Sequence, residues 1–149
     1  MDGAFAALGP DHIQTCDAQA FRTGMSRLGA AVHVITTEGP AGKTGFTATA
    51  VCSVSDQPPT VLVCLNRKSD SAPPVLGNKV FCVNTLAFGE ETIADTFAGR
   101  SGLKGGARFG IGDWLTLETG SPVLASAVVA FDCRTIEVRA VASHWVIYG

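Results

Sequence analysis

At 149 residues, 46% apolar and 16% charged, with a formal net charge of −2, the chain is sized for one domain with a substantial core. That balance excludes a disordered chain and a protein drawn to nucleic acid by its overall field, so any phosphate must be held locally. The opening MDGAFAALGPDH lacks a basic region and an apolar stretch, and no run of about eighteen apolar residues occurs after it, which argues against a secretory leader or a membrane span.

Residues 1–15 show no periodicity and read as an N-terminal tail, with the domain proper at 16–149. Asp17 caps an expected helix to about Leu28, with Phe21, Met25 and Leu28 on one side. AAVHVITT (30–37) reads as a strand, and TEGPAG as a turn that joins it in a hairpin to the next strand. In residues 45–59, GFTATAVCSVSDQPP, the first eleven alternate strictly, as one strand with unlike faces. Phe46, Ala48, Ala50, Cys52 and Val54 fall on one face, and Thr47, Thr49, Ser53 and Ser55 on the other. An uncharged hydroxyl face fits a surface that a flat polar group approaches, and it also fits an internal strand packed on another sheet.

Pro58 and Pro59 stop that strand, because neither can donate to a ladder. TVLVCLN (60–66) reads as a strand buried on both faces, VFCVN (80–84) as another, and Glu90 to Phe97 as a helix. The Gly-rich, basic residues 99–112 are expected to form a mobile loop, and two or three strands close the chain. The five cysteines are odd in number and form no C-x-x-C, which points to buried, reduced packing residues and a cytoplasmic setting. Many short strands with few helices predict a barrel or sandwich built from meanders. No G-x-G-x-x-G follows a strand, so a nucleotide site must be built another way.

NRKSDS (66–71) gathers cations and hydroxyls at a strand end, where Ser71 can cap a short helix opening with Pro73 and Pro74. The cluster fits an anion site, or a solvated turn. Arg108, in ARF, is a second candidate for a phosphate. Asn84 ends a strand with an amide for a ring edge or a turn. His144 opens the alternating HWVIYG behind two small residues that leave room for a ligand. Neither a Ser–His–Asp order with a nucleophile elbow nor a metal-binding His spacing occurs.

Taken together, GFTATAVCSVSDQPP, TVLVCLNRKS, FCVNTL, ARF, GSPVLASAVVAFDCR and SHWVIYG resemble the short-chain flavin reductases that supply reduced flavin to two-component monooxygenases, from about residue 20 to 149. The resemblance implies a mainly β fold with flanking helices, the FMN-binding split β-barrel of Greek-key type, usually homodimeric. It implies an NAD(P)H:flavin oxidoreductase that uses FMN or FAD with NADH or NADPH, serves a monooxygenase partner, and needs neither metal, nucleic acid nor membrane. Phe46, Thr47, Ala48 and Thr49 match the segment along the flavin ring, and Ser53, Val54 and Ser55 the segment at its polar edge. Asn66, Arg67 and Ser69 match the part reaching the ribityl chain and phosphate, with Asn84 and Arg108 in further cofactor-side positions. His144 matches the histidine that faces the nicotinamide, although Ala142 and Ser143 stand where the family carries Gly-Asp. The family pattern also continues past Gly149 with further strands. A flavin- or haem-binding barrel without a nicotinamide site is the alternative.

Overall fold

A computed structural model describes residues 15–149, so most of the expected N-terminal tail lies outside the described residues. By itself, helix α1 spans Ala18–Met25, shorter than expected. The Asp17 carboxylate accepts from the Ala20 amide at 2.8 Å, as an N-cap does. Phe21, Met25 and Leu28 are all exposed.

From residue 31 onward the chain is antiparallel β with two short helices. One four-stranded sheet has the order β2-β1-β5-β8, from β1 (His33–Thr37), β2 (Thr44–Ala48), β5 (Val80–Thr85) and β8 (Val129–Arg134). The other has the order β3-β4-β10-β9, from β3 (Val51–Asp56), β4 (Pro59–Asn66), β9 (Glu137–Val141) and β10 (His144–Tyr148). Strands β6 (Trp114–Thr116) and β7 (Pro122–Leu124) form a separate pair. The expected mainly β fold with flanking helices is present, and neither four-stranded sheet closes on itself.

The stretch expected to be one strand is two. β2 pairs with β1 in the first sheet and β3 with β4 in the second, so the chain changes sheets at Thr49 and Ala50. A tight turn marks the change, where the Val51 amide donates to the Thr49 carbonyl at 3.0 Å. The register shifts again between Ser53 and Ser55, as at a bulge. Alternation therefore holds within each piece but does not give one continuous face.

Ile35, Phe46, Phe81 and Val83 of the first sheet pack in one cluster with Val63, Leu65 and Ile147 of the second. Ala72 and Val75 of α2 (Ala72–Asn78) join them. The Asn78 carboxamide at the end of α2 donates to the Gly42 carbonyl and accepts from the Ala41 amide, both at 2.8 Å, which pins the β1–β2 turn. Gly45 sits at a pinch in β2. A Cβ there would lie 2.8 Å from both the Ile35 carbonyl oxygen and the Phe97 ring. Gly45→Ala is therefore expected to destabilise the fold by about 1–3 kcal/mol, as overpacking does, and to lower Tm in a thermal melt.

Residues 99–112 are not the loose loop that their glycines suggest. They contain a 3-10 helix at Gly105–Gly110 that places Arg108 in the interior. Phe109 packs on Phe97 at 5.0 Å and on Trp114 at 4.9 Å between ring centroids, and the Lys43 ammonium lies 4.7 Å over its ring. The cysteines also depart from expectation. All five are free, but only Cys82 is fully buried, while Cys16 and Cys52 are exposed. Burial pushes the Cys82 thiol up to about 12 and the Cys133 thiol up to about 11, in each case with Asp132 adding to the effect. None of the helices among the described residues is long and apolar enough to cross a membrane.

Candidate functional site

Where the chain changes sheets, it leaves a cavity of about 360 Å³. Residues 46–50 form one wall, residues 64–66 and His144 another, and Ser69, Phe97, Ala98 and Arg108 complete it. The strand ladder explains why these distant residues meet. β4 and β10 pair so that Asn66 lies opposite His144, at the end of the second sheet nearest the crossing. Helix α3 (Glu91–Phe97) brings Phe97 to the same place, and the Thr47 hydroxyl donates to the Ala94 carbonyl of α3 at 2.6 Å.

Arg108 is 8% exposed, and it forms no ion pair among the described residues. Its Nη1 donates to the Gly45 carbonyl at 2.7 Å and its Nε to the Leu103 carbonyl at 2.9 Å. Carbonyls satisfy hydrogen bonds but do not neutralise charge. A buried cation held in this way keeps its attraction for an anion, and its remaining Nη2 has no acceptor among the described residues. The Gly45 carbonyl also accepts from the Ser71 hydroxyl at 3.0 Å, so one backbone oxygen ties β2, α2 and the 3-10 helix together.

Among the described residues the lining contains no carboxylate. The Cys64 thiol is pushed up, mainly by burial and further by Cys52, so it is held in its neutral form. The His144 Nδ1 lies 2.9 Å from the Ser143 hydroxyl, which fixes the ring at the cavity edge. An uncharged, hydroxyl-bearing wall with one cation and one imidazole suits binding a flat polar anion better than acid–base or nucleophilic catalysis.

The cavity thus brings together Phe46, Thr47, Ala48, Thr49, Asn66, Ser69, Arg108 and His144 from the expected set. Five others lie elsewhere. Ser53 and Ser55 line a separate hollow of about 550 Å³ with Pro58, Phe131 and Ile136, and Val54 is exposed, since β3 pairs with β4 in the second sheet and does not continue β2. Arg67 lines a neighbouring cavity. Asn84 is fully buried: its amide donates to the Val34 carbonyl at 3.0 Å, and its oxygen accepts from the Leu124 amide at 2.8 Å. It alternates with Val83, so it points out of the core cluster and secures β7 beneath the first sheet. Ser71 caps α2 by position only, since its hydroxyl is turned to Gly45. Ala50, Cys64, Leu65, Phe97 and Ala98 line the cavity as well, beyond the expected set. Of these, Phe97 alone carries a signal in the sequence, as the aromatic end of an expected helix.

The flavin reductase like domain model matches residues 25–149, and the chain belongs to that family. It is 54% identical over 132 residues to the FMN reductase (NADH) RutF of Methylorubrum populi, covering 89% of this chain and 64% of that protein. A RutF of Methylorubrum extorquens is also 54% identical, over 89% of this chain and 65% of its own length, so the chain spans just under two thirds of these curated relatives. Among solved structures, the NADH:FAD oxidoreductase SgcE6 of Streptomyces globisporus matches with a TM-score of 0.79 at 27% identity, covering 92% of this chain and 83% of that one. Nitrilotriacetate monooxygenase component B of Mycobacterium thermoresistibile matches with a TM-score of 0.79 at 27% identity, over 88% of this chain and 71% of that one. The family match and the likeness to these solved structures bear out the fold implied by the resemblance.

Proposed function

We propose that this chain is the reducing domain of an NADH-dependent FMN reductase that supplies reduced flavin to a separate monooxygenase. The observation that carries the reading is Arg108, a buried cation without a carboxylate partner among the described residues, in the wall of a cavity otherwise lined by hydroxyls, a carboxamide, an imidazole, a thiol and apolar groups. FMN fits that donor set. Its ring would lie along residues 46–50, its ribityl chain toward Asn66 and Ser69, and its phosphate toward Arg108. When bound, the flavin supplies the redox chemistry by accepting a hydride from the nicotinamide. The protein's part is to set the approach of the two rings and exclude water, with His144 at the nicotinamide side.

FMN and NADH are preferred to FAD and NADPH because the relatives at about half identity are named for that pair. The partner oxygenase is inferred from neighbours such as the monooxygenase component. Initial rates of nicotinamide oxidation with each nicotinamide and each flavin are expected to be highest for NADH with FMN. Flavin binding without turnover in any combination would favour a flavin-binding protein instead. We further propose a homodimer, which would cover exposed Val54 and Phe131, and a cytoplasmic setting that keeps the thiols free and supplies NADH. Sedimentation at a monomer mass would remove the dimer, and fractionation of the native cell would test the compartment.

Thr49 tests the ring's place, since it stands where the chain changes sheets and lines the cavity. Thr49→Leu puts a branched side chain where the ring would lie, and flavin affinity is expected to fall about tenfold or more, with the melting temperature little changed. Fluorescence quenching by the protein reads the affinity, and a wild-type value would move the ring elsewhere.

A further inference from the structure

Helix α3 brings Phe97 to the flavin cavity, and the helix is attached to the rest of the fold along its length. Near its end, Phe97 packs on Phe109 and Trp114. In its middle, the Ala94 carbonyl accepts from the Thr47 hydroxyl at 2.6 Å and from the Ala98 amide at 2.9 Å. Both attachments belong to the cavity, because Thr47, Phe97 and Ala98 line it. At its start the helix is held through Glu90, which is not part of that lining. We propose that Glu90 is a positioning residue for the flavin ring: its carboxylate ties α3 to the β7–β8 turn and so sets where the wall beside the ring stands. The proposal rests on the flavin reading of the cavity.

Glu90 occupies the N-cap position of α3 but does not cap it with its side chain. Glutamate is also not among the residues favoured at an N-cap, so helix initiation does not explain it. The carboxylate turns back instead. One oxygen accepts from the Ala87 amide at 2.7 Å, and the other accepts from the Ser126 hydroxyl. Ser126 sits on a turn that is itself fixed on both sides. The Leu124 amide donates to the Asn84 side-chain oxygen at 2.8 Å, and the Ala125 and Val128 amides donate to the Asp113 and Thr85 carbonyls, both at 2.9 Å. Asn84 and Thr85 end β5, the strand that the chain leaves on its way to α3, and β8 pairs with β5. The carboxylate thus clamps the loop leaving β5 against the turn entering β8.

The consequence for the site is one of leverage. α3 has seven residues, so Ala94 lies about one turn beyond Glu90 and Phe97 about two. A helix released at its start can tilt about its cavity attachments, and a small misplacement of a wall costs binding even when every lining group is intact. Thr47, Phe97 and Ala98 would move together, with no group that touches the ring having been changed.

The test titrates FMN and riboflavin, by fluorescence quenching, into wild type, Glu90→Ser, Glu90→Gln and Ser126→Ala, with a thermal melt on each. Serine can cap the helix but is too short to reach Ser126. Glu90→Ser is therefore expected to lose about tenfold in affinity for FMN and riboflavin alike, at a melting temperature close to wild type. Equal losses place the effect at the ring, since a phosphate contact would affect FMN alone. Glu90→Gln keeps an acceptor of the same reach and should retain most of the affinity. Ser126→Ala removes one of the two donors and should lose about threefold for both flavins. KM for NADH should stay at its wild-type value in all three variants. Wild-type flavin affinity in Glu90→Ser and Ser126→Ala would overturn the proposal, whatever their melting temperatures, and so would a loss confined to FMN. Should Glu90→Ser fail to fold, Ser126→Ala decides alone. A wild-type protein that binds neither flavin would overturn the reading of the cavity and the proposal with it.

Discussion

Replacing Arg108 with alanine is expected to weaken FMN binding about ten- to hundredfold while leaving riboflavin almost unaffected. Only FMN presents a phosphate, and a hydrogen bond to a charged group contributes about 1.5–3 kcal/mol. Removing the side chain takes one donor from the Gly45 carbonyl, but the Ser71 hydroxyl still donates to that oxygen. The fold should therefore survive, and a thermal melt on the same variant checks that it does. Arg108→Lys keeps the charge without the fork that reaches both Gly45 and Leu103, so it should recover part of the FMN affinity. Equal losses for FMN and riboflavin would show that Arg108 holds β2 in place rather than reading a phosphate.

His144→Ala is expected to lower kcat/KM for NADH about ten- to hundredfold with little change in flavin affinity. That ratio reports contacts made between free enzyme and the transition state, and loss of one or two polar contacts of about 1–3 kcal/mol spans this range. The motivating geometry is the position of His144 at the cavity edge opposite Asn66, with its Nδ1 beside the Ser143 hydroxyl. A histidine that merely secures the β9–β10 hairpin predicts a different pattern: a lower Tm, with binding of both ligands impaired together. Flavin Kd, Tm and kcat/KM on the one variant separate the two.

Much of the cavity is legible in the sequence because its wall is local. Residues 46–49 are contiguous, and their small, uncharged side chains mark a surface that something approaches. Asn66 and Ser69 are legible for the same reason, as polar residues at and just past the end of an apolar strand. What the chain order hides is long-range. Period-2 alternation is identical on both sides of Thr49, so it carries no sign that β2 and β3 belong to different sheets. The register shift between Ser53 and Ser55 is likewise a property of pairing with β4. Arg108 illustrates the opposite error. Its glycine-rich surroundings suggest mobility, whereas Phe109 packing on Phe97 and Trp114 anchors the segment and carries the arginine inward. Asn84 looks available because it ends a strand, yet its carboxamide is consumed by Val34 and Leu124, partners 50 and 40 residues away.

The most direct test of the account is an anaerobic mixture of the protein, FMN and NADH followed by absorbance. The account predicts that the nicotinamide band and the oxidised-flavin band fall together in equal amounts, at a rate proportional to protein and sharply lower with Arg108→Ala at limiting FMN. Bands that stay unchanged while fluorescence shows FMN bound would contradict it.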